Sequence, residues 1–295
     1  IAAALNANGR FQDTLTLLEQ SPSSAWNDWQ FHAKRGEALA CLDRFTEARA
    51  AFAVAERLAS RAFRTSYHDG LFQHRPADSL PPPVTPELVR INFEFRRLEH
   101  ADWKDYDSRL ASIRQWTEDC LARGESSPLL PFRALFLPLS SELRLAIARR
   151  EAERLTEMAA GLGVVDAAGP GMTDLEAARL KIGYVSADFC EHPTAHLMRG
   201  LFRCHDRSRF QIYGYALRGD DGSAYYRQIR HDCDHFVDLS NVDNTAAARR
   251  IRADGVHILV DLMTYTNFAR PEIFARRLAP VQIGWLGFPG SSGAD

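Results

Sequence analysis

The stretch LKIGYVSADFCEHPTAHLM at residues 180–198 decides the fold of the second half of the chain. Its first seven residues form a short, mostly apolar run, which predicts a buried β-strand. Pro193 suits the first position of a helix, because its missing N–H would have no partner there in any case. A strand that leads through a short loop into a helix is the repeating unit of a parallel α/β sheet.

The same alternation continues along the rest of the sequence. We expect helices at 193–204, 224–231, 245–253 and 270–277, and further strands at 210–217, 235–239, 257–263 and 281–287. This order predicts a Rossmann-like, doubly wound parallel sheet, which binds ligands beyond the carboxyl ends of its strands. The loop after the first strand lacks a G-x-G-x-x-G motif, so an ordinary dinucleotide-binding domain is disfavoured.

An internal repeat marks the beginning of the chain. Residues 4–18 align with residues 38–52, so that Phe11 matches Phe45 at the 34-residue period of tetratricopeptide repeats. Gly36 and Ala48 supply the small side chains that close helix packing in such repeats requires. We therefore predict tetratricopeptide-like repeats, although a pair of ordinary helical hairpins is the alternative.

These patterns divide the chain into three predicted domains. Prolines at 76, 81–83 and 86 predict an extended connector, helical periodicity returns over 87–159, and glycines over 161–173 indicate a linker. We expect the repeats at 1–70, a helical linker region at 71–177 and the Rossmann-like domain at 178–295. The sequence starts inside a helical pattern without a charged leader, so we expect it to be part of a longer protein.

Composition excludes several classes of partner. The formal net charge is -2, which does not favour a nucleic acid or an anionic membrane surface. No apolar run approaches the roughly 20 residues needed to cross a bilayer. The five cysteines are odd in number and scattered, which predicts free thiols in a reducing, cytoplasmic compartment.

Three loops at the predicted carboxyl edge of the sheet carry polar or glycine-rich sequence. In the first, His192 lies at the start of a helix, whose dipole favours a neutral imidazole that can accept a proton. Asp188 could orient this imidazole or act as a base itself, or both residues could simply cap the helix. The second loop, 264–270, offers hydroxyls and a cation, and the third, 285–293, is rich in glycine; each could equally be an ordinary turn.

A metal site or a cysteine nucleophile is disfavoured. His192 and His196 are four residues apart but lack the glutamate of H-E-x-x-H, and the HDCDH stretch at 231–235 has no second cluster. Cys190 lies near His192, but nothing else in the sequence marks it as activated.

Several of these stretches together resemble one family. They are GYVSADF and HPTAHLM within 183–198, HFVDLS at 235–240, DGVHILV at 254–260 and APVQIGWLGFPGSSG at 279–293, with helical repeats upstream. The stretch from Leu180 to Asp295 resembles the amino-terminal catalytic half of glycosyltransferase family 41, the protein O-linked N-acetylglucosamine transferases. Phe132 stands where the family often has a histidine, so no role of that histidine is carried over.

The resemblance implies a two-Rossmann GT-B architecture with the active site between its halves. It implies inverting, metal-independent transfer of N-acetylglucosamine from UDP-N-acetylglucosamine to Ser/Thr hydroxyls of a polypeptide that the repeats present. Asp188 and His192 match catalytic positions, and the donor and acceptor positions match Tyr265, Thr266, Leu286, Gly287 and Pro289. The second half, which supplies most nucleotide contacts in the family, is absent from the sequence, so we expect the chain alone to bind donor poorly.

Other functions remain open from the sequence. Relatives of the same family that use GDP-fucose as donor resemble these motifs equally well. An inactive peptide-binding scaffold would also combine helical repeats with such a sheet. A two-Rossmann sugar epimerase would share the α/β fold without needing the repeats.

Overall fold

A computed structural model describes residues 1–68, 76, 78–79, 81–161 and 179–294. The chain divides into two compact units, Ile1–Asp69 with Leu80–Arg150, and Gly70–Ser79 with Glu151–Asp295. The domain boundaries predicted near residues 70 and 177, and most of the predicted glycine-rich linker, lie outside the described residues. The three-domain division therefore stays a prediction.

The first unit begins with two helical hairpins. The helices are α1 (Ala2–Ala7), α2 (Phe11–Glu19), α3 (Trp29–Cys41) and α4 (Phe45–Tyr67), with a short 3-10 helix at Ser23–Asn27. Each hairpin turns at a residue with positive φ, Gly9 in the first and Asp43 in the second. Both turns fall where the 34-residue repeat predicts them, so tetratricopeptide-like repeats are confirmed.

Close packing of α3 on α4 depends on two small residues. A Cβ atom on Gly36 would collide with the aromatic ring of Phe52 on the facing helix. Ala48 on α4 is fully buried. The sequence pattern thus identified the residues that let these two helices approach each other.

Four further helices complete the first unit and its continuation. They are α5 (Pro86–Glu99), α6 (Tyr106–Ala122), α7 (Pro131–Ala134) and α8 (Ser141–Gly161). The Thr85 hydroxyl caps α5 by accepting the Leu88 N–H. A buried ion pair between Arg109 and Glu94, with 2.6 Å between Nε and Oε2, joins α6 to α5. No helix within the described residues is long and apolar enough to cross a membrane.

The second unit is built on a five-stranded parallel sheet with the order β3-β2-β1-β4-β5. The strands are β1 (Leu180–Ser186), β2 (Phe210–Ala216), β3 (His235–Asp238), β4 (Ile258–Asp261) and β5 (Val281–Gly284). The intervening helices are α9 (Pro193–Met198), α10 (Leu201–Cys204), α11 (Ala224–Asp232), α12 (Asn244–Asp254) and α13 (Pro271–Phe274). A Rossmann-like sheet after helical repeats is therefore confirmed.

Several local predictions were wrong in their extent. The helix expected at 193–204 is interrupted between α9 and α10, next to Gly200. The strands expected to run to residues 263 and 287 end at Asp261 and Gly284. Hydrogen bonds to the side chain of Asp261 turn the backbone out of the sheet there, which hydrophobic periodicity cannot reveal.

Both faces of the sheet are covered. One face packs Val185, Tyr215 and Leu259 against α12 and α13, and the other packs Ile182 and Ile212 against α9, α10 and α11. The helices change face between β1 and β4, where the strand order also reverses. Such a switch point opens a crevice at the carboxyl ends of the strands, so the loops after β1 and β4 flank the expected ligand site.

Candidate functional site

The loop after β1 brings Asp188 and His192 together. The Ser186 hydroxyl at the end of the strand accepts the Asp188 N–H at 2.9 Å. His192 is the N-cap of α9, and its Nδ1 lies 3.3 Å from Oδ2 of Asp188. The carboxylate is buried, whereas 42% of the imidazole surface is exposed. The pair thus presents a half-open histidine in front of a buried carboxylate.

The position of one proton decides what this pair can do. Nδ1 of His192 also lies 3.3 Å from the Thr194 N–H, which it accepts when it carries no proton. When Nδ1 carries the proton it donates to Asp188 instead, and Nε2 then has the lone pair. In that tautomer Nε2 can take a proton from a hydroxyl group, and the carboxylate stabilises the resulting imidazolium.

Burial and two neighbouring basic side chains set the proton affinity of Asp188. Burial raises the pKa of this carboxyl, while the charges of His192 and Arg218 lower it. Arg218 follows the carboxyl end of β2 and is not among the site residues predicted from the sequence. Its place directly after a predicted strand was the available indication.

A hydrogen bond from backbone to side chain joins the loops after β1 and β2. The Glu191 N–H donates to Oδ2 of Asp221 at 3.1 Å. Asp221 also accepts the Ser223 N–H at 3.0 Å, next to the start of α11. The segment that carries Arg218 is therefore fixed against the segment that carries His192.

The loop after β4 uses its hydroxyl groups internally. Tyr265 is buried and donates its hydroxyl to the Ser292 carbonyl at 2.6 Å, and its ring meets that of Phe288 edge to face. The Thr266 hydroxyl donates to the Met263 carbonyl at 3.0 Å. Both hydroxyl protons are thus engaged, and Thr266 keeps a partly exposed side chain. Contact of either residue with a sugar stays a prediction.

Asp261, predicted from the sequence to lie inside a strand, organises this loop. Its buried Oδ1 accepts the N–H groups of Met263 and Thr264, each at 2.9 Å. Burial raises the pKa of Asp261 to about 6. Thr264 and Phe268 have positive φ angles of 52° and 63°, so the loop holds two residues in the left-handed region.

The loop after β5 packs directly on the loop after β4. A Cβ atom on Gly287 would collide with the Leu262 carbonyl, so a side chain cannot fit there without a backbone shift. Leu286 has a φ of 69° and is 38% exposed, and Pro289 is also exposed. The structure thus places the predicted residues of these two loops on one sheet edge.

The histidines considered as metal ligands have other neighbours. The His196 ring stacks on Tyr225 with 4.4 Å between the ring centroids. His192 instead pairs with Asp188. Among the described residues, no three histidine, cysteine or acidic side chains are grouped to hold a metal ion. Burial raises the pKa of the Cys190 thiol, which disfavours a thiolate nucleophile.

The model of one protein family matches the chain. It is described as Glycosyl transferase family 41 and covers residues 100–295. The match includes the whole sheet and each of the loops described above.

Curated relatives share the same part of the chain. A UDP-N-acetylglucosamine–peptide N-acetylglucosaminyltransferase of Caenorhabditis elegans is 40% identical over 199 residues, which are 65% of this chain and 17% of that protein. A probable enzyme of the same name from Arabidopsis thaliana, SEC, is 33% identical over 196 residues, 65% of this chain and 20% of that protein. The chain thus spans about a fifth of the length of these relatives.

A solved structure supports the fold. An O-GlcNAc transferase mutant from Thermobaculum terrenum matches 99% of this chain and 50% of its own chain, with a TM-score of 0.52 and 20% identity. Because the sequence identity is only 20%, this match supports the architecture and nothing further.

Proposed function

Because the chain belongs to glycosyl transferase family 41, we propose that it forms part of an enzyme that transfers N-acetylglucosamine from UDP-N-acetylglucosamine to Ser or Thr hydroxyls of polypeptides. The printed names of the C. elegans and A. thaliana relatives support this donor and this class of acceptor. The observation that carries the proposal is the Asp188–His192 pair beside the switch point of the sheet.

The proposed chemistry follows from the tautomer of His192 that donates to Asp188. Nε2 removes the proton of the acceptor hydroxyl while its oxygen attacks C1 of the sugar. The bond from C1 to the diphosphate oxygen breaks, and the electron pair leaves with UDP. Attack from the side opposite the leaving group inverts the configuration at C1. Asp188 stabilises the imidazolium and is a positioning group for it.

The loops after β4 and β5 are proposed to bind donor and acceptor. Thr266, Leu286 and Pro289 are at least partly exposed and can touch a ligand. Gly287 keeps the backbone close to Leu262, which shapes the edge of the crevice. Tyr265 is buried, so its proposed part is to hold Ser292 and the loop after β5 in position.

The partners are proposed on the same basis. The helical unit contains a cleft of about 760 Å³, lined among others by Trp29, Lys34, Glu37, Tyr67 and Asn92, that could accept part of the polypeptide. A second α/β half is proposed to contribute most contacts to the nucleotide, and the exposed Ile283 and Trp285 side chains of the β5 edge offer it an apolar surface. We propose transfer without a bound metal ion, as the resemblance implies, and a cytoplasmic location, which the five free thiols support.

Ligand titration of the full-length protein tests the proposal. We expect calorimetry to detect UDP and UDP-N-acetylglucosamine binding, and mass spectrometry to detect N-acetylglucosamine on a Ser/Thr peptide library. Binding of GDP-fucose alone would redirect the function to fucosyl transfer, and binding of peptides without any nucleotide sugar would favour a scaffold. A variant with His192→Ala should keep UDP binding and lose transfer, whereas His196→Ala should keep both.

A further inference from the structure

A second cavity lies at the same edge of the sheet as the candidate catalytic pair. It has a volume of about 250 Å³ and opens at the carboxyl ends of β2, β3 and β4. Its lining includes Leu217, Arg218, Gly219, Ser240, Phe268 and Arg270. The proposed contacts with donor and acceptor, through Thr266, Leu286 and Pro289, do not include the lining residues of this cavity.

Arg218 offers an available positive charge to the cavity. Its guanidinium lies 4.5 Å from the centre of the Phe268 ring, and the side chain is exposed. Among the residues that the structure describes, it makes no hydrogen bond and no ion pair. Stacking on an aromatic face holds the guanidinium plane while its N–H edge stays open to a planar oxyanion.

Two further groups give the cavity its polarity. Arg270 is buried and donates to three neutral oxygens, Oδ1 of Asn244 and the carbonyls of Leu239 and Val242. These bonds fix a second guanidinium in the wall. The Ser240 hydroxyl is a further possible donor, since the bond to Asp238 is made by the Ser240 backbone N–H.

The cavity is tied to the catalytic loop. Asp221, three residues after Arg218, accepts the backbone N–H of Glu191, which is the neighbour of His192. The positive charge of Arg218 also acts on the Asp188 carboxyl and the Cys190 thiol. At both groups it opposes the rise in pKa that burial causes. A group bound by Arg218 would therefore lie at the same edge of the sheet as the hydroxyl that His192 deprotonates.

We propose that this cavity binds the carboxylate of an acidic side chain in the acceptor polypeptide, close in sequence to the modified Ser or Thr. The inference rests on the proposed function and adds a determinant of acceptor choice to it. One open guanidinium beside a hydroxyl suits a single carboxylate better than a diphosphate, which carries more charge. Most of the lining of the cavity follows β2 and β3, and Phe268 and Arg270 complete the wall from the loop after β4.

A peptide series tests the proposal in the full-length protein. Each peptide carries one Ser and a single Glu at one of the four positions before or after it, and each has a Gln counterpart. We expect one Glu position to raise kcat/KM about tenfold over its Gln counterpart, the size typical of a hydrogen bond to a charged group. The ratio of kcat/KM for the Glu peptide to that for the Gln peptide is taken with the same enzyme, so any general effect of a variant on the reaction cancels.

Two variants separate the cavity from general charge effects. Arg218→Met should reduce the Glu-to-Gln ratio to about one. Arg209→Met is the matched control, because Arg209 also stacks on an aromatic ring, that of Phe210, but lies at the amino end of β2. It should leave the ratio unchanged. Arg218→Glu should reverse the preference, so that a peptide with Lys at the same position becomes the better substrate.

The outcomes distinguish this inference from the proposed function. A wild-type enzyme that shows no preferred Glu position, or a preference that survives Arg218→Met, would overturn the inference while transfer itself remains. A variant that changes only the KM for the nucleotide sugar would assign the cavity to the donor and also overturn it. If no peptide is modified at all, the proposed function fails; fluorescence anisotropy with the same labelled Glu and Gln peptides on this chain still decides whether Arg218 binds the carboxylate.

Discussion

The loops after β1 and β4 start side by side in the sheet, yet they use their polar side chains in opposite ways. Val185 of β1 is in register with Asp261 of β4. After β1, Asp188 supports a histidine whose other ring nitrogen is left for a ligand. After β4, the carboxylate of Asp261 accepts hydrogen bonds from two backbone N–H groups, and the Tyr265 hydroxyl donates to a carbonyl.

This difference separates residues that act on a ligand from residues that shape the site. A polar side chain with an exposed, uncommitted atom can take part in chemistry, whereas one whose bonds are satisfied inside the fold holds a loop in place. The sequence offers similar polar loops after both strands. We therefore expect substitutions in the first loop to change the reaction and substitutions in the second loop to change stability.

The largest effect is expected on transfer by the first loop. His192→Ala should lower kcat/KM by about 10²–10⁴-fold, the usual contribution of a general base. Asp188→Asn should lower it less, because the amide keeps the imidazole in place without stabilising its charge. Peptide transfer assays with the full-length protein check both, and His196→Ala is the control. A His192→Ala enzyme with wild-type kcat/KM would show that another group accepts the proton.

The next effect concerns the contact between the loops after β4 and β5. Gly287→Ala should lower the free energy of unfolding by about 1–3 kcal/mol, the usual cost of forcing extra atoms into a packed site. The added Cβ would meet the Leu262 carbonyl, which cannot move without its backbone. Urea denaturation measures the change. Gly200→Ala is the control, because no atom lies within 4 Å of its added Cβ; equal losses in both variants would contradict the packing argument.

A pH-dependent effect is expected at Asp261. The folded-state pKa is about 6 against an ordinary value of 3.8, so the carboxyl stabilises the fold below about pH 4 and this contribution is lost as the pH rises through 6. Both backbone bonds go to Oδ1, so Asp261→Asn can keep them without titrating. Relative to that variant, the wild type should lose up to about 3 kcal/mol between pH 4 and 7, at about 1.4 kcal/mol per pKa unit.

A control of opposite sign is available for this measurement. The hydrogen bond from Arg97 lowers the pKa of Asp102, so Asp102 contributes stability that is lost as the pH falls. Urea denaturation at several pH values should therefore show opposite slopes for Asp261→Asn and Asp102→Asn relative to wild type. Parallel slopes would rule out the buried, protonated carboxyl at Asp261.

The smallest effect is expected at Tyr265. Tyr265→Phe removes the hydroxyl that donates to Ser292 and should cost about 1 kcal/mol of unfolding free energy, the net worth of a typical hydrogen bond. Tyr226→Phe is the control, because Tyr226 is equally buried but makes no hydroxyl hydrogen bond among the described residues. A loss of transfer in Tyr265→Phe far beyond its loss of stability would show that Tyr265 acts on a ligand and does not only shape the site.

The sequence predicted most of the architecture because periodicity records burial. The 34-residue repeat located the helical hairpins, and five apolar runs located the five strands. Strand ends were predicted less well: β4 and β5 stop early because Asp261 bends the chain and Leu286 adopts a positive φ. Such turns depend on single hydrogen bonds and dihedral angles, which leave little trace in an apolar pattern.

The candidate site was predicted in part. Pro193 predicted that His192 is a helix N-cap, and the spacing of four residues within one loop predicted that Asp188 lies near it. The structure has both features. Arg218, whose charge acts on Asp188, was missed because it follows a neighbouring strand rather than lying in the same loop.

The amino-acid sequence by itself determined the helical repeats, the parallel sheet and the family, since each follows from local periodicity or from contiguous motifs. Only the tertiary structure decided which polar groups remain available. Tyr265 and Asp188 look equally suited to chemistry in the sequence, but one donates its hydroxyl to a carbonyl 27 residues away, and the other keeps a histidine as its partner. Burial and hydrogen bonding between distant segments set that difference, and no local pattern encodes them.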